Sequence, residues 1–297
     1  MRRTPASEAS PSRRLRGRAQ PHWASPARNT RALPVMLGFL LAALLLMAGT
    51  PAHAAPSPGE GQQSLLGNDI SWPQCNGDFP MDQAFAIVGV NNGLANTTNP
   101  CLSEQLRWAE DSAGHPGQPT VSLYVNTANP GAAGSWWPEN DEYPAGQAVH
   151  NPYGPCEDGN YGKACAYMYG YAKAYDDAYL RGISHPASYF WWLDVETENS
   201  WSRTDKDANR TVLEGMTDFF HSIGAEVGIY STGQQWERIV GTVSSSSNLY
   251  ALPSWLAGSL NASGAADACS KEPLTAGGRV VLAQFVSRGF DYNYSCQ

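Results

Sequence analysis

The chain has 297 residues, 42% of them hydrophobic, and a formal charge of −8. That length suits one large α/β domain with a sizeable core. The acidic balance argues against nucleic acid as a partner, because phosphates repel it.

The N-terminus is the exception to that charge. Residues 1–31 hold eight arginines and one acid, Glu8, and an apolar run from Leu33 to Gly49 follows. Then comes Thr50-Pro51-Ala52-His53-Ala54-Ala55. A basic flank, an apolar stretch and an A-x-A site predict a secretory signal over residues 1–54. Residues 55–64, rich in Pro, Ser, Gly and Gln, read as a flexible mature N-terminus. Residues 65–297 read as a single domain. Cleavage after Ala54 would leave 243 residues with 11 basic and 26 acidic side chains, a charge of −15. No stable membrane anchor would remain. Any glycan contact would then rest on stacking and hydrogen bonds more than on charge.

From Leu65 onward, apolar runs of strand length alternate with helical patterns, which argues for parallel strands and βα units. Strands are predicted at Leu66–Ser71 and at Ala84–Val90, the latter apolar on both faces as a buried parallel strand should be. A helix is predicted over Leu102–Ala113 and a strand over Thr120–Val125. Asn126–Tyr161 breaks the rhythm. It is rich in Pro, Gly, Asn and Trp, and a loop of that length is usually functional or a lid. Its Trp136 and Trp137 read equally as sugar platforms or as loop anchors.

Lys163–Arg181 reads as a helix with Tyr171, Tyr175 and Tyr179 on one face. Tyr189–Glu196 is the fourth strand. Asp207–Ile223 is the clearest helix, with Val212, Met216, Phe219, Phe220 and Ile223 in one stripe and Gly224 as its cap. A strand at Ala225–Tyr230 and a short helix around Gln234–Val240 follow. Strands at Leu252–Ala257, at Val280–Phe285 and near Asp291 complete about eight, with few helices between the last three.

Six cysteines, Cys75, Cys101, Cys156, Cys165, Cys269 and Cys296, lie in the predicted mature chain. An even count in an exported chain reads as three disulfides, with 15 pairings open; nearest neighbours are the expectation. No C-x-x-C spacing or nearby His suggests a metal.

The chemistry concentrates in Trp191-Trp192-Leu193-Asp194-Val195-Glu196. Side chains alternate along a strand, so Asp194 and Glu196 share a face, roughly 6–7 Å apart at the backbone. A barrel places catalysis at the C-terminal ends of its strands. Two acids crowded there cannot both ionise easily, so one should hold a proton near neutral pH and act as a general acid. Asp69 ends the first strand and Asp291 sits at the last. Each alone reads more simply as a turn residue, but a closed barrel would bring all four acids around one mouth.

The succession GNDISWPQ, LYV, WLDVE, GIYST, SWLAG, LAQFVS and FDYN resembles glycoside hydrolase family 25, the lysozyme-type muramidases, and its actinobacterial glycoside-hydrolase-like relatives. The likeness runs from about Gly67 to Asn293. It implies an irregular, TIM-like β/α barrel with βα units first and plain strands last. It implies that Glu196 is the general acid and that Asp194 stabilises the positive intermediate. Asp69 and Asp291 would be the first- and last-strand acids, which hold substrate or tune Glu196. Tyr124, Tyr230, Trp255 and Gln284 fall where that family lines its sugar groove, and Trp192 joins them as a candidate sugar contact.

The reaction implied is hydrolysis of the β-1,4 bond after N-acetylmuramic acid, with retained configuration and substrate assistance. No cofactor or metal is needed, and the expected partner of a secreted monomer is peptidoglycan. The family usually carries a His after the third-strand Tyr, whereas Val125-Asn126 follows Tyr124 here. Two alternatives stay open: a glycan-binding barrel without turnover, and a glycosidase for another extracellular polysaccharide. A serine hydrolase built on Ser231 is a weaker third, since the G-x-S-x-G spacing is missing.

Overall fold

The computed structural model describes residues 65–297. The predictions of a secretory signal over residues 1–54 and of a flexible stretch over residues 55–64 fall outside the described residues. Within them, eight strands close a barrel in simple sequential order: β1 (Leu66–Ile70), β2 (Ala86–Gly89), β3 (Val121–Asn126), β4 (Phe190–Asp194), β5 (Glu226–Ser231), β6 (Ser254–Ser259), β7 (Val280–Ser287) and β8 (Phe290–Ser295). Neighbours from β1 to β7 pair in parallel. β8 runs antiparallel to both β7 and β1. Arg288 and Gly289, with φ of 52° and 85°, make the two-residue turn between β7 and β8. A turn with two positive φ values matches the twist of a hairpin, and so no helix is needed there.

The helices are α1 (Leu102–Glu110), α2 (Lys163–Tyr179), α3 (Lys206–Ser222), α4 (Gly233–Ile239) and α5 (Ala262–Ala268). The sequence reading missed α5, which lies between β6 and β7. Its ASGAADA sequence has no apolar stripe, and only Ala265 and Ala268 are buried. α3 starts where the Asp205 carboxylate accepts the Ala208 amide at 2.8 Å, and it ends before Gly224 at φ 83°. Its apolar stripe packs on α2, where Tyr171, Tyr175 and Tyr179 surround Phe219 at centroid distances of 5.2–6.0 Å. The two helix backbones touch. A Cβ on Gly170 would stand 1.9 Å from the Val212 carbonyl oxygen, and one on Gly215 2.1 Å from that of Tyr167.

Alternation divides each strand. On β4, Trp191 and Leu193 pack outward with the helices, while Trp192 points into the barrel with Phe85, Ile87, Trp255 and Leu282. Large rings fill that interior because glycines face them: a Cβ on Gly228 would lie 2.3 Å from the Trp192 ring. The barrel is thus a packed core rather than a pore.

The disulfides are Cys75–Cys101, Cys156–Cys165 and Cys269–Cys296, as the nearest-neighbour expectation had it. The segment between β3 and α2 is laid over α2 rather than hanging as a lid. Trp137 stacks on Tyr169 at 5.0 Å and donates its indole N–H to the Asn160 carbonyl at 2.9 Å, which makes it an anchor.

Candidate active site

The mouth of the barrel holds a pit of about 190 Å³, lined by Asp69, Tyr124, Asp194, Glu196, Tyr230, Trp255, Gln284 and Asp291. All four acids and four of the five sugar contacts expected from the sequence therefore converge. The reversal of β8 explains why Asp291 belongs there. In an antiparallel strand the mouth lies at the start rather than at the end, and Asp291 pairs in register with Asp69. Asn68 helps to hold that corner by donating its side-chain N–H to the Asp291 carbonyl at 2.7 Å.

Glu196 is reached differently from the simple strand picture. β4 ends at Asp194, but the chain stays pinned to β5 for another residue. The Val195 amide donates to the Tyr230 carbonyl at 2.9 Å, and the Ser231 hydroxyl donates to the Val195 carbonyl at 2.6 Å. The alternation of faces thus survives past the strand end. Ser231 is buried and its hydroxyl is spent on this contact, which removes it as a nucleophile.

Trp192 is the correction. It is 2% exposed and lies in the barrel interior, its ring edge-on to Trp255 at 5.7 Å, and it does not reach the pit. It shares a face with Asp194 but sits two residues earlier, one layer deeper, where the barrel has to be filled.

The acids are held unequally. Asp69 is 8% exposed. It receives the Gln284 amide on both oxygens, at 3.1 and 3.0 Å, and the Asn293 amide at 2.7 Å. Gln284 in turn accepts the Tyr230 hydroxyl at 2.8 Å. Burial and the nearby Asp291 charge push the Asp69 carboxyl up to about 7 despite those donors.

Asp194 is 3% exposed. Asn126 donates to its Oδ2 at 2.7 Å, while its Oδ1 has no partner among the described residues. Burial first, and then the Glu196 charge, raise it well above the ordinary carboxylate range. Glu196 is half-buried. Its carboxyl is raised by burial and by the Glu198 charge, against a hydrogen bond from the Gln235 side chain that lowers it. Burial raises Asp291 as well. Protons leave such a cluster in shared steps. Asp194 lies deeper than Glu196, and burial is the first cause of the upward shift in both.

Sequence reasoning missed the residues that hold the acids. Asn126 and Asn293 lie two positions beyond Tyr124 and Asp291 on their strands, so alternation alone places them on the inner face. Behind Asn126, the Asn91 side chain accepts the Asn126 backbone N–H at 2.8 Å and donates to Asp177 at 2.9 Å. A hydrogen-bonded chain therefore runs from α2 to Asp194.

A family model described as Lysozyme-like protein 1 matches residues 181–268, the stretch that carries Asp194 and Glu196. A protein of Dictyostelium discoideum described as probable GH family 25 lysozyme 4 is 36% identical over 66 residues, which is 22% of this chain and 29% of that protein. The match thus spans less than a third of that relative's length. Among solved structures, a muramidase from Trichobolus zukalii aligns with a TM-score of 0.47 at 20% identity, covering 78% of this chain and 93% of that one. The catalytic domain of endolysin ply40 from bacteriophage P40 of Listeria monocytogenes aligns with a TM-score of 0.43 at 15% identity, covering 80% and 95%. The chain thus resembles lysozyme-like proteins over the part of the barrel that carries its central acid pair, and a glycoside hydrolase family 25 lysozyme over 66 residues.

Proposed function

We propose that the protein is a secreted glycoside hydrolase that cuts the β-1,4 bond after N-acetylmuramic acid in peptidoglycan. The observation that carries this reading is the convergence of Asp69, Asp194, Glu196 and Asp291 in one pit walled by Tyr124, Tyr230 and Trp255. Rings of that kind suit the faces of sugars.

Glu196 is the most accessible of the central pair, and its raised carboxyl protonates the glycosidic oxygen as the bond breaks. The sugar's own acetamido oxygen then closes on the anomeric carbon, so that no carboxylate has to act as a nucleophile. Positive charge grows on the acetamido group. The unpartnered Oδ1 of Asp194 accepts its N–H, while Asn126 holds the other oxygen. Water next opens the ring as the Glu196 carboxylate takes its proton, and the original configuration is restored. Asp69 and Asp291 raise the proton affinity of the pit and bind hydroxyls.

Secretion is supported by three disulfides, which persist in oxidising compartments. Among the described residues, no helix is long and apolar enough to cross a membrane.

End-group analysis tests the reading. Digestion of purified walls should expose new reducing ends on N-acetylmuramic acid, with little product from chitin or a neutral glucan. New ends on N-acetylglucosamine, or cleavage of glucan but not of wall, would reject the assigned bond.

A further inference from the structure

Beside the acid pit lies a larger groove of about 570 Å³. It begins at Thr197, the residue after Glu196. Its walls are the segment after β3 near Asn129, the β4–α3 loop to Arg203, and the last turn of α4. One buried side chain ties these three walls together. Asn209 of α3 accepts the Asn129 amide at 3.0 Å and the Ser202 backbone N–H at 3.1 Å. It donates to the carbonyls of Ser202 and Ile239, both at 2.9 Å. The Asn129 backbone N–H also donates to the Ser200 carbonyl at 2.7 Å, and the Trp201 indole donates to the Glu196 carbonyl at 2.8 Å. The groove is therefore a fixed shape coupled to the catalytic loop.

Its charge is opposite to that of the pit. Arg203 and Arg238 line it, both exposed, against a single acid, Glu198. Neither arginine has an ion pair or a hydrogen bond among the described residues. Lys163, Lys173, Arg181, Lys206 and Arg210 each have a carboxylate partner, and none of the other cations without an ion pair among the described residues, Arg107, Lys271, Arg279 and Arg288, lines this groove. Two unpartnered guanidinium groups in one groove of a strongly acidic chain favour an anion, and their fork suits a carboxylate. The rest of the lining is mostly amide and hydroxyl side chains, which suit peptide groups. A second lobe of about 180 Å³ shares Pro130, Ala133, Asn199 and Ser200 with the groove and leads on to Trp136. There is room for an extended branch.

We propose that this groove binds the carboxylate-bearing peptide branch of the glycan cut in the pit; the inference rests on the muramidase reading above. A peptide attached to the sugar beside Glu196 would leave the pit at Thr197, where the groove starts. An unbranched neutral glycan would leave both arginines without a partner.

The test compares two substrates in each protein: peptide-bearing glycan chains, and the same chains after enzymatic removal of the peptides. The readout is the ratio of their kcat/KM values. The wild type should prefer branched chains by about tenfold, carried mainly in KM and shrinking with added salt, as for exposed charge-assisted contacts. Arg203→Gln with Arg238→Gln should bring the ratio near one, and the paired Lys variants should restore part of it. Thermal unfolding should be unchanged, since neither arginine has a partner to lose. Equal cleavage of both substrates by the wild type would overturn the inference and leave the glycosidase reading standing. So would a preference that survives the double Gln variant. Cleavage of neither substrate would remove both.

Discussion

Replacing Asp69 by Asn should change how stability depends on pH, and the size of the effect follows from the pit. Asp69 is buried beside Asp291, and its carboxyl moves from 3.8 to about 7 in the folded protein. A group whose folded value is raised binds more protons folded than unfolded between those limits. Its stabilising contribution is full below about pH 4 and is lost as pH rises through about 7. Each factor of ten in proton affinity is worth about 1.4 kcal/mol, so the wild type should lose at most about 4 kcal/mol through Asp69 alone between pH 4 and pH 8. Asn does not titrate, so the variant should lack that loss. Whatever the substitution costs through its bonds to Gln284 and Asn293 is independent of pH and cancels in the difference. Asp177, also raised to about 7, contributes to both proteins alike. Denaturant unfolding from pH 4 to pH 8 measures it: the stability of the variant relative to wild type should rise with pH. Parallel curves, or a relative stability that falls with pH, would refute the reasoning.

Three further outcomes follow. Asn126→Ala leaves Asp194 without its one hydrogen-bond donor; kcat should fall about ten- to a hundredfold with a smaller change in KM, and a kcat within twofold of wild type would deny Asn126 its positioning role. Glu198→Gln removes the charge that helps raise Glu196, so the alkaline limb of kcat/KM should move to lower pH; a limb that stays or moves upward contradicts Glu196 as the proton donor. Gly170→Ala drives a methyl group to 1.9 Å from the Val212 carbonyl and should cost at least about 3 kcal/mol, roughly 6–12 °C in Tm; a normal melting temperature would mean that the two helices are not in backbone contact.

Part of the site was legible from two simple rules: alternation puts Asp194 and Glu196 on one face, and barrel closure brings Asp69 and Asp291 to the same mouth. Tyr124, Tyr230, Trp255 and Gln284 came instead from the resemblance to glycoside hydrolase family 25. Trp192 was misjudged because alternation names a face but not a depth: it has the right face and the wrong layer. Burial is the first cause of the raised carboxyls at Asp194 and Glu196, and it is a property of the packed barrel rather than of the WLDVE string. Asn126 and Asn293 were within reach of the same alternation, but as neutral amides they carry no chemistry of their own and become visible only through the carboxylates they hold. The groove at Arg203 and Arg238 joins segments more than a hundred residues apart, which no local pattern connects. Helix α5 escaped because a seven-residue, Ala-rich helix needs only two buried methyl groups.

The most direct measurement is the release of reducing ends from purified walls by wild type and Glu196→Gln, with glycan binding followed in parallel. If Glu196 donates the proton, the variant should still bind wall fragments while its turnover drops by about a hundredfold or more. Turnover close to that of wild type in the variant would contradict the proton-donor role, and binding without release by the wild type itself would make the pit a lectin site rather than an active site.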